Sequence, residues 1–251
     1  MCTLILLRRP GHEWPLLLAA NRDEMIGRPW RPPARHWPDR PEVMAGLDEL
    51  AGGSWLGLND HGVVAGILNR FGTLGPAPGQ RSRGELVLEA LDRADARDAA
   101  TALAALDPRA YRPFNLIIAD DRDAFWLRHA DAGGRGAIGV KALEPGLSMI
   151  AAGDLNETET PRLRRYRPRF AAANPPDPST GDWSSWEALL ADDQFAPQDG
   201  AAGAMRFVTD RSFATVSSAL IALPKPGAEL TPVFRFRSWQ PTPSPWQNLP
   251  L

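Results

Sequence analysis

The sequence predicts an α+β protein, and three observations predict it. Strand-like apolar runs open the chain, a pair of helical segments follows, and strand-like runs return and end in a hairpin. The regular strand-helix alternation of a doubly wound sheet is absent, and no internal repeat is visible. With 251 residues, 43% of them hydrophobic, the chain carries enough apolar material for one sizeable core. A single domain over 1–251 is therefore expected, with an irregular proline-rich tail from about 241.

The elements follow from punctuation and period. Residues 3–7 and 16–20 read as strands separated by Pro10, Gly11 and Pro15, with the polar run Asn21-Arg22-Asp23-Glu24 ending the second. Five prolines within residues 28–41 predict an extended surface segment. Residues 54–58 and 63–68 read as a strand pair turning at Asn59-Asp60-His61-Gly62, with Asn69 just beyond. Ser82-Arg83-Gly84-Glu85 predicts a capping box opening a helix, and the alanine-rich stretch 98–106 predicts a second helix. Residues 114–119 and 124–127 bracket a hairpin turn, and a glycine-rich connection leads to a strand at 148–152. An arginine-rich piece spans 162–169, and Asp182 introduces a short helix at 183–190. Residues 213–223 and 233–239 read as late strands joined at Lys225-Pro226-Gly227.

Composition excludes several classes of function. A formal charge of -2 gives no global electrostatic case for a nucleic-acid partner or an anionic membrane. The first apolar run is far short of the roughly 20 residues a bilayer span needs, and Arg8 and Arg9 follow it where a secretory signal places its basic residues first. No transmembrane segment and a cytoplasmic location are the expectations. One cysteine rules out an internal disulfide, and His12, His36, His61 and His129 show no ligand spacing, so no metal is expected.

That cysteine is Cys2. A small residue at position 2 lets Met1 be removed, which would place a thiol and an α-amine on one residue. The amine, with a reference pKa of about 7.7–8.0, can accept a proton from a thiol of about 8.5. Asp23, near the end of the neighbouring strand, could hold that amine. A small buried hydrophobe at Cys2 and an ordinary turn or solvated ion cluster at 21–24 are the alternatives.

The Met-Cys start, Asn21-Arg22-Asp23-Glu24, Gly52-Gly53-Ser54-Trp55-Leu56-Gly57, Arg83-Gly84-Glu85-Leu86-Val87, Phe114-Asn115-Leu116-Ile117 and Asn156 in a Gly-x-x-Asn context together resemble the NRDE family. That family is also called transport and Golgi organisation protein 2, and it is similar in turn to the cysteine N-terminal-nucleophile (Ntn) hydrolases, including penicillin V acylase and bile salt hydrolase. The resemblance implies an Ntn-hydrolase-like four-layer αββα sandwich. It also implies catalytic roles for Cys2, Asp23, Asn69 and Asn156, with Asp23 holding the amine and asparagine amides donating to an oxyanion. Asn21, Arg22, Trp55 and Asn115 are the substrate-binding candidates. Two positions depart from the acylases, which carry arginines where this chain has Ala20 and Phe213-Ala214-Thr215-Val216; Arg22 is the expected substitute for one of them.

Two functions are compatible with these residues. One is an N-terminal-cysteine amidohydrolase or thioesterase acting on a small or lipid-like molecule, with no required cofactor. The other is a non-catalytic carrier, as the resemblance implies for haem cargo or acyl-CoA and lipid metabolites. Trp30, Trp37 and Trp55 would then line a cleft, with Arg162, Arg164, Arg165, Arg167 and Arg169 as its cations. Core tryptophans and a solvated arginine face are the plainer account. The partner in either case is a small-molecule ligand, and the oligomeric state is left open.

Overall fold

A computed structural model of the chain describes residues 2–131 and 136–251; Met1 and residues 132–135 of the glycine-rich connection lie outside the described residues. In chain order come β1 (Thr3–Arg8), β2 (Leu16–Met25), β3 (Trp30–Ala34), β4 (Val43–Asp48), β5 (Leu56–Asn59), β6 (Val64–Asn69), α1 (Gly84–Leu91) and α2 (Ala96–Ala104). Then follow β7 (Phe114–Ala119), β8 (Ala124–His129), β9 (Gly139–Ala142), β10 (Gly146–Ile150), α3 (Pro161–Ala172), α4 (Ser184–Ala191), β11 (Phe213–Leu223), β12 (Val233–Ser238) and β13 (Gln247–Asn248). The chain divides into two units: residues 1–28 with 145–250, and residues 29–144 with Leu251. Among the described residues no helix is long and apolar enough to cross a membrane.

The first unit joins both ends of the chain in one sheet of order β10-β1-β2-β11-β12-β13. β2 outruns its sequence pattern: the strand does not stop at Ala20 but continues through the polar run to Met25. The cause is β11, which pairs with it from Leu223↔Leu16 to Phe213↔Met25 and supplies ladder hydrogen bonds from a segment about 200 residues away. One irregularity interrupts this ladder, a register shift between Thr215 and Ser217 opposite Asp23 and Arg22. Such bulges re-aim side chains.

The arginine-rich piece is helix α3. Pro161 stands in its first turn, where proline's fixed φ suits a helix and its missing N–H costs nothing. Arg162, Tyr166 and Phe170 recur every four residues and are all buried, with Leu163 beside them. This stripe packs in a core with Ile5, Leu17, Ala19, Trp186 and Leu220, and Phe170 meets Trp186 edge to face at 5.5 Å. Each large apolar side chain of this core contributes about 1.5–3 kcal/mol by leaving water. The outward arginines behave differently: Arg164 pairs with Asp199, and Arg169 with Asp192.

The second unit is a seven-stranded antiparallel sheet running in chain order from β3 to β9, with α1 and α2 over its core. The expected capping box does not form. Helix α1 starts two residues after Ser82, and Glu85 turns to Arg81 at 2.6 Å instead of back to the cap. The N-terminal cap of α2 is Asp95, which accepts from the Asp98 N–H at 2.8 Å. Two of the sequence signatures meet here. The Ser54 N–H donates to the Gly84 carbonyl at 3.0 Å, and a Cβ on Gly53 would lie 2.5 Å from the Gly84 carbonyl carbon. Gly52-Gly53-Ser54 and Arg83-Gly84-Glu85 are thus two halves of one backbone joint, closed only because neither glycine carries a side chain.

Candidate functional site

In the first unit the start of β1 lies against β2 in the register Thr3↔Asn21, which brings Cys2 beside residue 23. The Cys2 thiol, half-buried, faces the Asp23 backbone, with Sγ 3.4 Å from the Asp23 nitrogen and 3.6 Å from its oxygen. Burial pushes the thiol's pKa up and the Asp23 charge adds to this, while Arg22 acts in the opposite direction. Nucleophilic use of a thiol shifted in this direction needs a proton acceptor.

The Asp23 carboxylate is fully buried and held from two sides. Arg162 Nη1 donates to Oδ2 at 2.7 Å, and Thr215 Oγ1 donates to Oδ1 at 2.7 Å. The same Arg162 nitrogen donates to Thr3 Oγ1 at 2.8 Å. The guanidinium lies 5.2 Å from the centre of the Phe207 ring, and the Phe207 N–H and carbonyl both bond Thr215. Strand alternation sets Thr3, Asn21 and Asp23 on the α3-facing side, where Arg162 can reach two of them.

The Asp23 carboxylate pairs with Arg162, a residue that the sequence did not single out for this role. Arg22 is buried on β2 within 3.8 Å of Glu24, which also faces Arg28. In the sequence Arg162 is grouped with Arg164, Arg165, Arg167 and Arg169, as cations of a carrier cleft or as a solvated face. The signal that separates it is helical period, because only Arg162 falls in line with Tyr166 and Phe170. Thr215 carries no comparable signal; its place depends on the bulge opposite Asp23.

Asn21 is engaged within the first unit. Its amide donates to the Leu190 and Met205 carbonyls at 3.0 and 2.9 Å, satisfying the last turn of α4, and its oxygen accepts from Ser218. Asn156 lies against edge strand β10 in the left-handed conformation, φ 59°. Its backbone N–H donates to the Met149 carbonyl and its side-chain oxygen accepts from the Met149 N–H, both at 2.8 Å, which orients the amide NH2 outward from that pair.

In the second unit, Trp55, Asn69 and Asn115 lie on or beside neighbouring strands. Asn69 is the last residue of β6, opposite Phe114, and not a loop residue beyond it. Asn115 is completely buried, and its oxygen accepts from Arg70 at 2.7 Å and Trp126 at 3.1 Å. Trp55 stacks edge to face on Trp30 at 5.8 Å and lies so close over Gly46 that a Cβ there would fall 2.3 Å from its ring. Trp37 donates to the Gly52 carbonyl and packs against the helical core of this unit.

Comparison with solved structures shows the fold. An N-acylethanolamine-hydrolyzing acid amidase ortholog from Caenorhabditis elegans aligns with a TM-score of 0.58 at 13% identity, covering 90% of this chain and 94% of that one. Penicillin V acylase from Agrobacterium tumefaciens aligns at 0.54 and 12% identity, covering 99% and 86%. A conjugated bile acid hydrolase variant from Clostridium perfringens gives 0.54 at 10% identity, covering 99% and 92%. The fold is thus the Ntn-hydrolase fold that the resemblance implies. In sequence, the chain is 36% identical to the mouse (Mus musculus) Transport and Golgi organization 2 homolog over 108 residues, and 38% identical to the bovine (Bos taurus) homolog over 110. Each alignment takes in 42% of this chain and only 38% of the relative's own length. Residues 1–226 match the family model of Transport and Golgi organisation 2, and the chain belongs to that family.

Proposed function

We propose that the protein is an N-terminal-cysteine hydrolase that cleaves an amide or thioester of a small or lipid-like molecule. The observation that carries the reading is the Cys2 thiol set against residue 23, whose carboxylate is held buried by Arg162 and Thr215. Loss of Met1 turns the Cys2 nitrogen from an amide into an amine. The amine takes the thiol proton, and sulfur bonds to the substrate carbonyl carbon, pushing its electron pair onto oxygen. The ammonium returns the proton to the departing amine or thiol as the carbon–nitrogen or carbon–sulfur bond breaks. Water, deprotonated by the same amine, then cleaves the thioester and regenerates the thiol. Asp23 orients the amine, and Asn156, in the same unit as Cys2, carries the oxyanion role that the resemblance implies for it. The names of the amidase, acylase and bile acid hydrolase neighbours describe hydrolysis, which supports this reading over a carrier.

The test is incubation of the purified chain with a panel of acyl amides, acyl thioesters and haem, followed by intact mass and equilibrium binding. A hydrolase shows an acyl mass on the chain with at least one amide or thioester. Tight binding of haem or an acyl thioester with no adduct and no product would replace the hydrolase with the carrier.

A further inference from the structure

Arg162 is fully buried, at a position where the rest of the helix stripe is aromatic and apolar. Burying an ion costs several kcal/mol, and an apolar side chain of similar size often serves stability as well as a buried ion pair. Packing alone does not call for a cation here. The contacts are also specific: one nitrogen fixes both the carboxylate of Asp23 and the hydroxyl of Thr3, the residue directly after Cys2.

We infer that Arg162 is a positioning residue that acts through Asp23 to keep the Cys2 amine a free base near neutral pH, an inference that rests on the N-terminal-nucleophile reading. In the proposed chemistry the Asp23 carboxylate orients that amine, and a carboxylate beside an amine with no compensating cation raises its pKa by roughly 1–3 units, which would hold it as ammonium and disable it as a base. Arg162, 2.7 Å from that carboxylate, offsets the charge while Thr215 fixes the other oxygen. Asp23 therefore orients the amine without trapping its proton. Among the described residues, the charged and titratable groups around residue 23 include Cys2 just before β1, Arg22 and Glu24 on its own strand, and Arg162 from α3; β11 presents the Thr215 hydroxyl.

The test is the pH dependence of Cys2 alkylation by iodoacetamide in the full chain, which needs no knowledge of the substrate. Its inflection belongs to the coupled amine and thiol. Arg162→Gln moves the inflection up by about one pH unit, slowing alkylation at pH 7 about tenfold, and Arg162→Lys brings it back to within about twofold of wild type. An inflection unmoved in Arg162→Gln, whatever its melting temperature, overturns the inference. If Arg162→Gln does not fold, Asp23→Asn is compared with the near-isosteric Asp23→Asn/Arg162→Gln pair. The pair variant inflects about one unit higher than Asp23→Asn alone, and equal inflections overturn the inference. A wild-type profile without an inflection overturns the nucleophile reading together with this one, whereas a wild-type inflection that the variants leave in place overturns this one alone.

Discussion

Asp23→Ala destabilises the protein by about 3–5 kcal/mol, because it strands a fully buried guanidinium that no solvent can reach. The loss has a specific origin. Arg162 keeps its bond to Thr3, but its counter-ion is gone and the Thr215 hydroxyl loses its shorter acceptor, leaving the Met205 carbonyl at 3.3 Å. Chemical denaturation of wild type, Asp23→Ala, Arg162→Met and the double variant separates the terms. Each single change is costly, and the double variant recovers most of the loss, since an apolar pair removes both buried charges at once. A cost below about 1 kcal/mol for Asp23→Ala would mean that the ion pair is not buried as described.

Cys2→Ala abolishes acyl-enzyme formation and turnover while leaving ligand affinity within a few-fold of wild type. The thiol is the bond-forming atom in the proposed chemistry, and its removal deletes a covalent step without altering the cluster held by Arg162. Cys2→Ser is informative beside it. Its hydroxyl is a far weaker acid than the thiol, so turnover falls steeply even though a nucleophile of similar size remains. Burst kinetics and intact mass on all three proteins check this, and turnover that survives in Cys2→Ala removes Cys2 from the mechanism.

Much of the architecture is legible in the sequence because it is written in local patterns. Strands β1, β7 and β11 and helix α4 emerge within a few residues of where apolar period and turn residues place them. What is lost is set by distant partners. β2 continues through Asn21-Arg22-Asp23-Glu24 because β11 pairs along it, and a polar run read in isolation signals a turn. The capping box failed for a related reason: the close approach of Gly53 and Gly84 fixes where α1 begins, and Arg81 captures Glu85. β3, β4 and β9 are added at one edge or the other of the second sheet, from segments whose prolines and glycines mask their strand character.

The site divides in the same way. The chain start and the motif single out Cys2 and Asp23 as candidates, whereas the groups that hold Asp23 are not singled out by either. Arg162 lay within an arginine-rich stretch in a chain where arginine is the common base, and composition hid what the four-residue period of α3 reveals. Asn21 and Asn115 show the opposite case, since both are motif residues whose side-chain oxygens, and the Asn21 amide, bond protein groups within their own units. A short motif therefore includes residues that tie the scaffold together alongside the candidates for chemistry.

The most direct test of the central claim is the intact mass of the purified wild-type chain before and after a brief pulse of a thiol-directed acylating probe at neutral pH. The account predicts a mass lacking Met1 and a single acyl addition mapping to Cys2. A chain that retains Met1 and yet turns over substrate would contradict it, because the nitrogen of Cys2 would then be an amide, unable to take the thiol proton.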